Sequence, residues 1–173
     1  MDLEAPADAW YVWVGVALVS VAAIGIALGL PSGPPPDAHA AANAVDRVAG
    51  SAHEATGTYE HDARSYWVDR ERIAMRNEHG VTKATLAYGP VVPVEEDTEL
   101  AAVLHGNSIA IAYTSQLRPS KPSQEQFHED VEEAIAAVDS ADPQWRSADG
   151  TLRVRAVEYE LGGGEQRVVL LAM

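Results

Sequence analysis

The sequence predicts an α+β protein: an N-terminal transmembrane helix followed by a mostly antiparallel β-sheet domain with one or two packed helices. Three observations predict it. Residues 9–30 form an uncharged apolar run of 22 residues. A proline cluster at 31–36 ends that run. Beyond residue 56, short segments rich in β-branched and aromatic residues alternate with turn signals, and one strongly amphipathic helix lies among them.

Taken in order, the chain divides into five stretches: an acidic tail at 1–8, the apolar helix at 9–30, a Pro-rich linker at 31–37, an Ala-rich helix or stalk at 38–55, and the α+β domain at 56–173. As a helix, 22 residues span roughly 33 Å, against a hydrocarbon core of about 30 Å. Trp10, Tyr11 and Trp13 cluster at its start. Amphipathic rings favour the lipid–water boundary, so these three are the expected membrane-interface residues. A helix inside a soluble core would carry a polar face, and this run has none. A cleavable signal would have a basic start and a shorter apolar stretch, whereas "MDLEAPAD" is acidic; only "AHA" at 38–40 suits cleavage. Gly25 and Gly29 form a GxxxG pair, flanked by Ala23 and Ala27, at a spacing that lets apolar helices approach closely. No Lys or Arg precedes Arg47, so orientation rests on little. The expectation is a single-pass cell-membrane protein with its C-terminal domain extracytoplasmic.

Asp37 is placed to cap the Ala-rich helix, whose apolar stripe is Ala41, Ala44, Val45, Val48 and Ala52. "TGTYEHD" and "RSYWVDRE" read as strands, and "RIAMRN" and "VTKATLAY" as a hairpin about Glu78-His79-Gly80. A short helix is expected over 98–105, with Leu100, Val103 and Leu104 inward, and "SIAIAYTS" is expected to be a strand. The clearest helix covers 124–139: Phe127, Val131, Ile135 and Val138 make one stripe, and Ser123 with Gln126 forms a capping-box pattern. "TLRVRAVEYEL" and "RVVLLAM" read as a hairpin across Gly162-Gly163-Gly164. The apolar parity slips near Ala156, which means either a bulge or a strand covered on both sides.

Composition narrows function. There are 26 acidic residues against 12 basic, a formal charge of −14. That excludes the basic footprint a nucleic-acid binder needs. Only Lys83 and Lys121 are lysines; the other basic residues are arginines. This bias suits very high salt, where a Debye length of about 3 Å at 1 M screens the self-repulsion of so acidic a chain. The absence of cysteine excludes disulfides and thiol chemistry.

Catalytic, cofactor and metal residues are not expected. His61, His79 and His128 invite a metal search, and His128 with Glu132 shares a helix face, but no ligand series of recognised spacing occurs. Glu95-Glu96-Asp97 and Glu129-Asp130 read as solvated charge. Ser108, Ser115 and Ser123 lack a nucleophile-elbow setting, and the triple glycine is a turn rather than a phosphate loop. Tyr66, Trp67 and Trp145 read as core packing, with an exposed binding patch as the alternative.

The stretches "DAWYVWVGVA" and "GLPSGPPPDA" resemble an uncharacterised family of small single-span membrane proteins of haloarchaea that is associated with type IV pilus-like assembly; the similarity is strongest over 7–38. The resemblance implies a membrane-anchored, envelope-facing subunit with no assigned reaction. The outline is also similar to a type IV pilin, with two departures. Asp8 and Ala9 stand where pilin precursors carry a basic and a small residue, and the prolines at 31–36 break the long pilin helix. The expected function is a non-enzymatic, membrane-anchored interaction or structural protein of a haloarchaeal cell envelope. Its expected partners are the lipid bilayer and other envelope or membrane-assembly proteins. An anchored hydrolase and a ligand-sensing module are the alternatives. The salt reading predicts a melting temperature that rises steeply between 0.1 M and 3 M KCl; equal melting at both would remove it.

Overall fold

The computed structural model describes residues 9–29, 33–88, 90–114, 121–140 and 144–173. The expected acidic tail at 1–8, part of the Pro-rich linker, and Ser115 lie outside them. Two compact units divide the chain, Met1–Pro34 and Pro35–Met173.

The first unit holds α1, Ala9–Gly29. Among the described residues no helix is long and apolar enough to cross a membrane. The expected transmembrane helix over 9–30 is therefore corrected to an apolar helix.

The second unit contains α2 (Ala38–Ala49), β1 (Ala55–Glu60), β2 (Ser65–Val68), β3 (Arg72–Asn77), β4 (Gly80–Thr85) and β5 (Val91–Pro93). Then come α3 (Glu99–Leu104), α4 (Ile109–Ala112), α5 (Ser123–Ser140), β6 (Arg146–Ser147), β7 (Thr151–Leu161) and β8 (Gly164–Ala172). The expected single sheet is two sheets of four strands, in the orders β1-β7-β8-β5 and β4-β3-β2-β6. Every pairing is antiparallel except β5 with β8.

The β7–β8 hairpin is the centre of the first sheet. Its register runs unbroken from Leu161↔Gly164 to Arg153↔Ala172, so there is no bulge at Ala156. Gly162 and Gly163 both take positive φ, 61° and 85°, as a two-residue primed turn requires. The parity slip is instead the mark of a strand covered on both faces. Leu152, Val154 and Ala156 enter one core with Val169 and Leu171; Val157 and Tyr159 enter the other with Val168 and Leu170.

The first core lies between the two sheets and encloses α2, with Ile73 and Met75 fully buried in it. Residues 38–55, read as a helix or stalk, thus contribute to the core of the second unit. Asp37 caps α2 by accepting from the Ala40 amide at 2.9 Å. Thr82 on β4 fixes the same end: its hydroxyl donates to the Pro36 carbonyl and accepts from the Ala38 amide. Asp46, near the other end, accepts from the Ala87 amide at 2.8 Å. Alanines on α2 let it approach β1 so closely that a β-carbon at Gly57 would stand 2.6 Å from Val48 Cγ2.

The second core packs α3, α4 and α5 on the other face of the first sheet. Phe127 is fully buried with its ring edge-on to Tyr159 and Tyr113; Val131 is buried, and Ile135 packs against the same core. The capping box is not made: Gln126 donates to the Lys121 carbonyl, while the Pro122 carbonyl accepts from the Glu125 and Gln126 amides. The expected strand "SIAIAYTS" is corrected to α4. Ser108 caps it by accepting from the Ile111 amide, turning Ala112 and Tyr113 inward and leaving Ile111 exposed. The helix expected over 98–105 is α3, capped by Thr98.

Filling the space at Gly57 should strain the α2–β1 contact. Gly57→Val is expected to lower stability by about 1–3 kcal/mol in chemical denaturation, the usual cost of overpacking a tight core. Adding Val48→Ala should recover part of that loss.

Candidate functional site

Two regions stand out, one on each unit. On α1, Trp10, Tyr11 and Trp13 lie at the start of the helix and are 55%, 61% and 73% exposed. The Trp10 and Tyr11 rings sit against each other with centroids 4.0 Å apart. Val12, Val16, Val19, Ile24 and Leu28 are exposed as well, so the apolar surface goes all the way around. Gly25 has open space where a β-carbon would stand; Gly29 closes the helix.

The second region is a cleft of about 440 Å³ where the two sheets meet α3. Tyr66 comes from β2, Arg146 and Ser147 from β6, and Arg153 from β7. Val94, Glu95 and Glu96 follow β5, Leu104 and His105 lie at the end of α3, and Met173 follows β8. β6 exists because Tyr66 and Ser65 pair with Arg146 and Ser147. That pairing carries Arg146 from a distant part of the chain to the cleft wall. Arg146 Nη2 lies 3.2 Å from Glu95 Oε1, and its Nη1 is buried with no hydrogen-bond partner. Burial pushes the Tyr66 hydroxyl up, against the opposing pull of the Arg146 guanidinium beside it. Arg153 is held by Asp149 at 2.7 Å.

A neighbouring cleft of about 340 Å³ shares Glu95 and Arg146. Thr98, Glu99 and Leu100 line it with Asp130, Glu133 and Ala134 of α5. Here Tyr113 donates to Asp130 Oδ2 at 2.8 Å. Burial raises the Asp130 carboxyl above the usual range, with Glu99, Glu133 and Glu129 adding to it against the Tyr113 hydrogen bond.

The histidines singled out in the sequence each have separate partners. His61 Nδ1 accepts from the Ala63 amide at 3.2 Å, and its Nε2 is buried without a partner. His79 Nε2 lies 3.4 Å from Glu78 Oε1 in the β3–β4 turn. His128 Nδ1 meets the Tyr159 hydroxyl at 2.9 Å rather than Glu132. Among the described residues no three His, Asp or Glu side chains are grouped to hold a metal ion. Tyr66 and Trp67 are buried; Trp145 is half-buried beneath the Arg76 guanidinium, 4.4 Å from its ring centroid. In the sequence Glu95 reads as solvated charge, and neither Arg146 nor His105 is singled out. Nothing local marks them, because the cleft forms only when β6 joins β2.

The family of unknown function (DUF7283) matches residues 4–157, and the chain belongs to that family. No curated protein and no solved structure matches it.

The setting of His61 gives a pH dependence. Burial lowers its imidazole pKa, against the opposing pull of Asp149 and Asp62. The fold therefore favours the neutral ring, and the unfolded chain takes up the proton first. Stability is complete above the ordinary histidine range and falls as pH drops through about 6.5. His61→Asn keeps an acceptor for the Ala63 amide and cannot titrate, so it should flatten that limb of a Tm–pH profile.

Proposed function

We propose that this protein is a non-enzymatic structural or interaction component of a cell-envelope assembly working at high salt, an accessory or pilin-like part of it. The observation that carries the reading is the all-round exposed apolar surface of α1. A helix that is apolar on every side works buried, because each exposed aliphatic side chain costs about 1.5–3 kcal/mol relative to burial. Other apolar helices of the assembly supply that burial, and the open space at Gly25 suits close helix approach. The α+β unit is then the contact module that α1 holds in place. The acidic, arginine-biased composition supports the high-salt setting. Asp8 at the position of a pilin's basic residue argues for an accessory part rather than a major filament subunit.

The test is the assembly state of the full-length chain isolated without detergent from its native source. The wild type should elute in a complex of several chains, and Val16→Glu with Val19→Glu should release a folded single chain. A wild type that runs as a freely soluble monomer would overturn the proposal.

A further inference from the structure

We propose that the outer face of the β4-β3-β2-β6 sheet docks a second copy of this chain, on the acidic outer stripe of that copy's α5. The inference rests on the assembly reading above for its setting, and it gives the second unit a contact of its own.

Strand alternation defines the receiving face. Tyr66, Ile73 and Met75 enter the first core, so Trp67, Arg72, Ala74, Arg76 and Lys83 point away from it. Trp67 is buried yet belongs to neither core. Its cover is cationic: the Arg72 guanidinium lies 5.6 Å and the Lys83 ammonium 5.8 Å from the ring centroid. Arg76 lies over Trp145 in the same way. Arg72 is paired with Asp69. Arg76 and Lys83 are exposed. Among the described residues neither has a carboxylate partner, whereas Arg64, Arg146, Arg153, Arg155 and Arg167 each have one. In a chain of charge −14, two such cations on adjacent strands form a positive island that suits an anionic partner.

The matching surface lies on the far side of the same unit. Glu125, Glu129, Glu132 and Ala136 form an exposed stripe along α5, turned away from the side on which Phe127 and Val131 pack. Glu125 and Glu132 are two turns apart, about 10 Å. Arg76 and Lys83 are diagonal neighbours on paired strands, about 7–8 Å apart at the backbone. Long side chains close that difference, and Val81, 49% exposed beside Arg76, then meets Ala136. The layers run from the second sheet through the first core and first sheet to the helices, so the two faces stand at opposite ends of the unit. A contact between unlike faces is heterologous: each copy offers one face to the copy before it and the other to the copy after, which builds an open array or a ring. High salt permits it. At 1 M, screening over about 3 Å removes the long-range repulsion between two acidic copies and leaves the close pairs.

The experiment uses the scarcity of lysine: Lys83 and Lys121 are the only two in the chain. A carbodiimide joins an amine to a carboxylate where the two touch. Full-length protein, half of it isotope-labelled, is coupled at millimolar concentration in the salt that keeps it folded, and the joined peptides are read by mass spectrometry. Lys121 should couple to Glu129 within one chain, an internal standard for the fold. Lys83 should couple to Glu125 or Glu132 in peptides that join a labelled to an unlabelled chain. Arg76→Glu, a change on an exposed side chain, should lower that yield about tenfold by setting like charges together, with the Lys121 standard unchanged. The Val16→Glu, Val19→Glu chain should keep the Lys83 product at this concentration, so a failure of the α1 reading is told apart from a failure of this one. No Lys83 coupling between chains, coupling to carboxylates of the second copy outside α5, or an undiminished yield in Arg76→Glu would each overturn the proposal. So would coupling of Lys83 to a different protein in the assembly isolated from its native source.

Discussion

The β7–β8 pair is the constraint on which the second unit depends. Its two strands run side by side over nearly their whole lengths, closed by a glycine turn. Because successive strand residues point to opposite faces, one hairpin supplies apolar side chains to both cores at once. Val154 and Leu171 look toward α2 and the second sheet; Val157 and Leu170 look toward α3 and α5. A register slip of one residue would exchange the two sets and leave both cores mismatched. Within its sheet β1 pairs on one side and β5 on the other, α3, α4 and α5 pack on one face, and α2 packs on the opposite face.

α2 shows how the space on one side of that hairpin is filled. An alanine-rich helix brings little side-chain volume, so its backbone comes close to the strands, and Gly57 is the point of closest approach. Polar contacts fix both ends of the helix: Thr82 and Asp37 at its start, Asp46 near its finish. These contacts reach across more than forty residues of chain in two of the three cases, which ties β4 and its following loop to α2. The second sheet is thereby held over the first. The edge at which β6 closes that sheet is the edge at which Arg146 and Tyr66 come together.

Chemistry in the second unit is concentrated where these layers end. Arg146 stands between two clefts and lines both, with Glu95 across from it. Both linings mix acidic and apolar side chains: Glu95, Glu96 and Asp149 stand with Val94, Leu104 and Met173 on one side, and Glu99, Asp130 and Glu133 with Leu100 and Ala134 on the other, where burial raises the Asp130 carboxyl above the usual range. α1 presents the opposite kind of surface, convex, uncharged and apolar all round.

The sequence by itself determined the features set by neighbours along the chain. The glycines at 162–163, the hairpin about Glu78-His79, the Asp37 cap and the Phe127–Val131 stripe all follow from local geometry and periodicity. So does the acidic surface. What it left open, or gave wrongly, depends on partners far away in the chain. Alternating Ile and Ala in 109–112 fits a strand as well as a helix, and Ser108 capping with α5 nearby decided for a helix. The parity slip at Ala156 allowed a bulge or a two-faced strand until helices were found on the second face. The two-residue strand β6 carries no periodic signal at all, yet it builds the cleft. Periodicity tells which faces are apolar; only packing tells what each face meets, because burial is a property of the whole fold.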